Sequence, residues 1–242
     1  MGSLLFSLLF WAFITLSSAC LYPFALLIRV FTSPFDRKLS LLHRFTSLWA
    51  SLYTWFNPFW RVTIVGRERI LKGMTYVMVA NHQSVVDIFV LFRLQAHYKW
   101  VSKAENFRIP FIGWNMSLNR YIRIDRRSIS SHRKMLRDAE AALREGNSLM
   151  IFPEGTRSKD GSLQNFKDGA FELAVTTRTS ILPIVIEGSA EALPKRGIIL
   201  RGRHLIRMRI LDPVPAGISV PKLRDRVHNL FVAEIESLRR QT

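Results

Sequence analysis

Short apolar runs that alternate with helical patterns after Pro58 predict an α/β fold with a mostly parallel central sheet flanked by helices. A charge-free apolar run from Leu4 to Ile28, followed by an aromatic-rich segment from Leu39 to Trp60, predicts an N-terminal apolar two-helix membrane anchor. The expected division is residues 1–57 for the anchoring helices and 58–242 for the body. A chain of 242 residues can bury one substantial core. With 48% apolar residues it is no disordered basic tail, so its formal net charge of +17 decorates a folded body. Such a field attracts anions: lipid headgroups, phosphorylated substrates, acidic carrier proteins or nucleic acid.

The first apolar run is long enough to cross about 30 Å of hydrocarbon. A cleaved signal peptide competes with this reading, but no Lys or Arg precedes the run, so the usual basic start is missing. Pro23 lies inside the run and predicts a kink. In the second segment Leu41, Leu42, Phe45, Leu48, Trp49, Leu52, Tyr53 and Phe56 recur at helical spacing. That pattern suits a helix lying in the membrane interface, the alternative being an amphipathic helix that covers the core. The basic residues at 29–44 favour keeping the end of the first helix cytoplasmic. The sole cysteine, Cys20, permits neither an intramolecular disulfide nor a cysteine-built metal site, which fits a reducing compartment.

In the body, 61–65 and 75–80 read as strands and 85–96 as a buried helix. Short strands at 98–102 and 121–125 flank a helical stretch at 110–118. Met135, Leu136, Ala139, Ala142 and Leu143 give 131–145 one apolar face, and Gly146 ends that helix. A strand at 149–152, a helix at 169–179, a strand at 181–186 and a last helix at 221–239 complete the body. Arg201, Arg203, Arg207 and Arg209 share parity, with Leu200, Ile206, Met208 and Ile210 between them. As one extended strand or hairpin this segment presents a basic face, either a dock for an acidic carrier protein, coenzyme A phosphates or anionic lipid, or simply a solvated surface.

The chemical centre expected is Asn81-His82-Gln83-Ser84-Val85-Val86-Asp87, between an apolar strand and an apolar helix. Five residues turn a helix by about 500°, so His82 and Asp87 cannot share a face if both are helical. They meet if His82 lies in the loop and Asp87 in the first helical turn. Asp87 then accepts from one imidazole nitrogen and fixes the tautomer, leaving the other nitrogen as a base. The plainer reading is a variant capping box, Ser84-x-x-Asp87, in which the aspartate only serves the helix end. Of the six histidines, at 43, 82, 97, 132, 204 and 228, only His82 has an acid five residues on.

With that block in hand, the sequence resembles the glycerolipid acyltransferase family, specifically its 1-acylglycerol-3-phosphate acyltransferases. Asn81-His82 through Asp87 looks like the first motif, the catalytic His and Asp. Lys103-Ala104-Glu105 with Ile109 to Trp114 is similar to the stretch before the second motif, and Ile124-Asp125-Arg126 to that motif's end. Phe152-Pro153-Glu154-Gly155-Thr156-Arg157-Ser158 matches the third motif, and Leu182-Pro183-Ile184-Val185 looks like the fourth. The ordered set covers residues 60–190, with one departure: Asn119 to Arg123 stands where the family usually has glycine and apolar residues before Ile-Asp-Arg.

The resemblance implies acyl transfer from acyl-CoA or acyl carrier protein to the sn-2 hydroxyl of lysophosphatidic acid, giving phosphatidic acid for phospholipid biosynthesis. It implies His82 and Asp87 as catalytic residues and Glu154, Gly155, Thr156, Arg157, Arg126 and Lys103 as substrate-binding ones. Glu154 suits a glycerol hydroxyl and Arg157 a bidentate grip on phosphate, against the plain alternative of a surface ion pair. The apolar N-terminus is typical of the family's bacterial members, which implies the inner membrane with the catalytic domain facing the cytoplasm. No cofactor, metal or acyl-enzyme is expected: there is no G-x-S-x-G elbow, and Cys20 lies in the membrane segment. Other acceptors within the same chemistry, and a non-catalytic anionic-membrane-binding protein, remain alternatives. Nucleic acid is not an expected partner, because the basic residues fall in no binding motif.

Overall fold

The computed structural model of the chain describes residues 2–125, 129–195 and 197–241. Helices α1 (Gly2–Thr32) and α2 (Ser40–Trp55) precede β1 (Trp60–Val65), β2 (Val77–Ala80), α3 (Val86–Phe92), β3 (Tyr98–Lys103), α4 (Ile112–Leu118) and β4 (Ile122–Ile124). There follow α5 (Ile129–Arg144), β5 (Ser148–Ile151), α6 (Gly169–Thr177), β6 (Ile181–Glu187), the short α7 (Ser189–Ala192), β7 (His204–Ile210) and α8 (Val220–Arg240). The strands form one sheet in the order β1-β7-β6-β2-β5-β3-β4. Strands β6, β2, β5, β3 and β4 run parallel, as the alternating strands and helices predict. Strand β7 is antiparallel to β6, and β1 parallel to β7. The central strands are buried on both faces, which is why β2 and β6 read as continuous apolar runs rather than alternations.

Each face of the sheet has its own core. On one, α1, α2, α3 and α4 pack over Met78, Ala80, Leu182 and Ile184. On the other, α5, α6 and α8 cover Val77, Val79, Leu149 and Val185. Helix α8 buries Leu223, Val227, Phe231, Ile235 and Leu238, a three-and-four spacing that lays one stripe on the sheet. Each such side chain contributes roughly 1.5–3 kcal/mol on full burial.

The two-helix anchor needs correction. Among the described residues α1 is the one helix long and apolar enough to cross a membrane, and Pro23 does not interrupt it. Helix α2 instead belongs to the core. Trp49 and Tyr53 are buried, Asn119 Nδ2 donates to Thr46 Oγ1 at 3.0 Å, and His43 lies with Nδ1 2.8 Å from the Tyr121 hydroxyl. Its Nε2 faces the Ala96 carbonyl at 3.0 Å, so Nε2 donates there and Nδ1 accepts. Helical spacing alone cannot tell a lipid-facing stripe from a protein-facing one; these buried polar partners decide it.

The basic stripe at 201–209 also divides. Only His204–Ile210 is strand, and Arg201 and Arg203 lie exposed before it. Arg207 donates to the carbonyls of Leu238 and Gln241, and Arg209 Nη1 reaches Glu234 Oε1 at 2.5 Å, so both serve α8. A cation at a helix C-terminus is favourable, and that use takes two of the four arginines out of the docking face.

The sheet locates a crevice. Strands β2 and β5 are neighbours, but the chain leaves β2 for α3 on one face and β5 for α6 on the other. Ligands in open α/β sheets bind outside the carboxyl ends of strands at such a divergence. Beside it, Gly188 has φ +89°, and a Cβ there would lie 2.3 Å from the Leu205 carbonyl oxygen. Gly188→Ala should therefore lose more than about 1 kcal/mol of folding stability, read as a lower urea midpoint; an unchanged midpoint would refute this account of the turn.

Candidate active site

Residues 81–87 and 152–158 form the two lips of the crevice. Strand β2 ends at Ala80, and Asn81 ties the following loop to β6: its Nδ2 donates to the Ile186 carbonyl and its Oδ1 accepts the Ile186 N–H, both at 2.8 Å. His82 therefore sits in a loop and Asp87 in the first turn of α3, the arrangement that lets the two side chains meet. His82 Nδ1 is 2.9 Å from Asp87 Oδ2. The same oxygen accepts the backbone N–H groups of Gln83 at 2.7 Å and Ser84 at 2.8 Å. Ser189 Oγ hydrogen-bonds to Oδ1, and the Asp87 side chain has 0% exposure. With donors on both oxygens Asp87 acts as a carboxylate, so Nδ1 carries the imidazole proton and Nε2 is the free base. Nε2 has no protein partner among the described residues, and the ring is 14% exposed.

Capping and orientation of the imidazole are not alternatives here. Asp87 reaches back to the Ser84 N–H as the acid of a capping box does, while Ser84 Oγ lies 3.3 Å from the Val86 N–H and donates to the Leu193 carbonyl at 2.6 Å. One carboxylate closes the helix end and orients the imidazole.

The other lip holds the histidine from a different side. The Phe152 ring lies flat on the imidazole, with centroids 3.8 Å apart and planes 8° apart. Glu154 is buried and turned inward: Oε1 accepts the His82 N–H at 2.6 Å and Oε2 the Gln164 N–H at 3.1 Å. The Ser158 N–H donates to the His82 carbonyl at 2.8 Å. Both Glu154 oxygens thus serve backbone, where the sequence suggested a glycerol hydroxyl as partner. Burial pushes the Glu154 carboxyl up from 4.5 to about 7, against the lowering effect of those two donors.

Gly155 has φ +75°, and the space beside it is filled by Lys167, whose Cε lies 3.1 Å from where a Cβ would stand. Thr156 is exposed and Arg157 half-buried, its guanidinium without a protein partner among the described residues. The Arg157 carbonyl accepts from the Lys195 ammonium. Lys103 is exposed at the end of β3, one strand out from β5. Arg126 lies outside the described residues, and of its neighbours Arg123 packs over the Phe107 ring at 4.5 Å.

Phe152, Lys167, Lys195 and Ser189 complete the surroundings, and the sequence reading gave none of the four a site role of its own. Ser189 is 102 residues from Asp87, a separation no local pattern spans. Phe152 stood inside the quoted third block, and its aromatic type next to a strand end was the one available signal.

Residues 61–187 match the sequence profile of the family described as Acyltransferase. A 1-acyl-sn-glycerol-3-phosphate acyltransferase of Chlamydomonas reinhardtii is 38% identical over 190 residues, 78% of this chain and 57% of the relative. The chloroplastic enzyme of that name from Arabidopsis thaliana is 37% identical over 196 residues, 80% of this chain and 52% of its own. The chain thus spans little more than half the length of these curated relatives. A crystal structure of the 1-acyl-sn-glycerophosphate acyltransferase PlsC from Thermotoga maritima superposes with a TM-score of 0.82 at 26% identity, over 98% of this chain and 96% of that one.

The raised Glu154 carboxyl has a measurable consequence. Between about pH 4.5 and pH 7 the folded protein binds more proton at this group than the unfolded chain, so its contribution to stability falls as pH rises. The slope approaches 1.4 kcal/mol per pH unit within that window and vanishes above it. Glu154→Gln should remove this slope in urea unfolding followed from about pH 5 to pH 8. Parallel pH dependences for the two proteins would show that the carboxyl titrates normally.

Proposed function

The chain belongs to the acyltransferase family, and we propose that it moves a fatty acyl group from acyl-CoA or acyl carrier protein to the sn-2 hydroxyl of 1-acylglycerol 3-phosphate, giving phosphatidic acid. The observation that carries this reading is the His82–Asp87 pair, 2.9 Å apart, with Nε2 free of protein partners among the described residues. His82 Nε2 takes the proton of the glycerol hydroxyl as its oxygen attacks the thioester carbonyl. Asp87 holds the imidazolium that forms. The carbonyl oxygen gathers negative charge, and the backbone N–H groups of Thr156 and Arg157, which have no acceptor among the described residues, are the donors proposed for it. Collapse of the tetrahedral carbon breaks the C–S bond, and the imidazolium returns its proton to the thiolate. No metal and no acyl-enzyme enters this scheme. Arg157 and Lys103 supply positive charge for the acceptor phosphate, with Lys167 beside Gly155 as a third cation.

The acceptor is a membrane lipid, and the outer surface of α1 suits it. Leu5, Leu9, Leu16 and Phe31 are more than half exposed. The helix is nevertheless tied to the body from Phe6, whose ring meets Phe59 at 4.5 Å, through Trp11, whose Nε1 donates to the Ile198 carbonyl at 2.7 Å, to Tyr22 against Trp114. The seventeen residues of helix from Phe6 to Tyr22 span about 24 Å. We therefore propose that α1 lies in one leaflet beside the body, on the cytoplasmic side of a bacterial inner membrane.

Thiol release from acyl-CoA and from acyl carrier protein, measured across lysophosphatidic acid, glycerol 3-phosphate and other lysolipids, tests the function. His82→Ala should lower kcat by ~10²-fold to 10⁴-fold with little change in acceptor KM. Arg157→Ala should chiefly raise acceptor KM. Full turnover without the imidazole would end the proposal.

A further inference from the structure

The hydroxyl on Asp87 Oδ1 is not accounted for by capping or by the first block of sequence. Ser189 is fully buried at the start of α7, and its Oγ has two acceptors in reach, Asp87 Oδ1 and, at 3.3 Å, Gln83 Oε1. A hydroxyl has one proton, so one acceptor must go without it. Gln83 decides which. Its Nε2 donates to the Gly161 carbonyl and to Glu187 Oε2, both at 3.0 Å. Turning the amide over would set its oxygen against those two acceptors, so the orientation is fixed and Oε1 faces Ser189. Between a neutral amide oxygen and a carboxylate, the carboxylate holds the proton.

The clamp on Gln83 is itself locked from α8. Arg239 Nε donates to Glu187 Oε1 at 2.9 Å, and its Nη2 donates to the Gly161 carbonyl at 3.1 Å. Asp87 is thereby loaded unequally: among the described residues Oδ2 takes three donors from its own loop, while Oδ1 takes one, from the β6–α7 junction. Carboxylate rotation about its terminal torsion is intrinsically soft, and the three bonds on Oδ2 restrain it from one side only. The Ser189 bond on Oδ1 restrains it from the other.

We propose that Ser189 is a positioning residue, whose hydroxyl sets the plane of the Asp87 carboxylate and through it the aim of the His82 base. The proposal rests on the reading of His82 and Asp87 as the proton-accepting pair. Ser189→Ala leaves a buried oxygen bare and a carboxylate free to turn. It should lower kcat about 10-fold to 100-fold, the worth of one charge-assisted hydrogen bond, with both KM values within about twofold of wild type.

Ser189→Thr keeps the donor and should restore most of the rate. Should its extra methyl not fit, Ser189→Cys keeps the shape with a weaker donor and should fall between Ser and Ala. In an Asp87→Asn background, Ser189→Ala should add no more than about a twofold loss, because the hydroxyl acts through the carboxylate. Wild-type kcat in Ser189→Ala, or the same loss with and without Asp87, overturns the proposal. A readout without substrate separates this from the acyltransferase reading. The downfield proton resonance of His82 Nδ1–H, assigned by its loss in His82→Ala, should move upfield in Ser189→Ala, as the turning carboxylate loosens the bond to Oδ2. An unmoved resonance counts against Ser189 whatever the enzyme's substrate.

Discussion

The burial of the Asp87 carboxylate imposes more order on this protein than any other single interaction. A charge with no exposed surface is tolerated only when donors surround it, and here they come from the imidazole, two successive backbone amides and a distant hydroxyl. Those donors lie on the loop after β2 and at the start of α7, so satisfying one side chain fixes how two parts of the fold meet. The local chain path follows: His82 must leave the strand without entering the helix, and α3 must begin where its first-turn acid can reach back. The same geometry that makes the pair chemically useful is the geometry that makes its burial affordable.

The sheet then sets what can reach that pair. One face is covered by α1 to α4, and outward from α1 come Leu5, Leu9, Leu16 and Phe31. The other is covered by α5, α6 and α8, where α5 pairs Lys134 with Asp138 and Arg144 with Glu140 on its exposed surface. The chain leaves β2 and β5 for opposite faces, so the crevice beyond their ends lies between these two coverings.

Much of this was legible in the sequence, and the reasons are specific. Strands such as β6 are continuous apolar runs because parallel strands are covered on both faces, and α5 shows its Met135, Ala139 and Leu143 stripe because one side is wet. The His82–Asp87 meeting was readable because it lies within six residues. Two kinds of information were not. Whether an apolar stripe faces lipid or protein depends on its partners, and α2 finds Tyr121, Asn119 and Ala96, all far along the chain. Whether an acid serves substrate or backbone depends on which amides surround it, and Glu154 finds those of His82 and Gln164.

That last pairing explains why the block from Phe152 to Arg157 is contiguous. Orienting an imidazole needs its backbone anchored, one ring edge tethered and one ring face covered. Asp87 tethers the edge. Glu154 anchors the backbone through the His82 N–H, and Phe152, two residues earlier, covers the face. Between them Pro153 carries no N–H to satisfy, and Gly155 adopts the positive φ that turns the chain outward, so that Arg157 emerges with its guanidinium free of protein acceptors among the described residues. Inward residues of the block thus work on the histidine, within a single turn. With edge, face and backbone all held, Nε2 is the ring nitrogen left without a protein partner among the described residues.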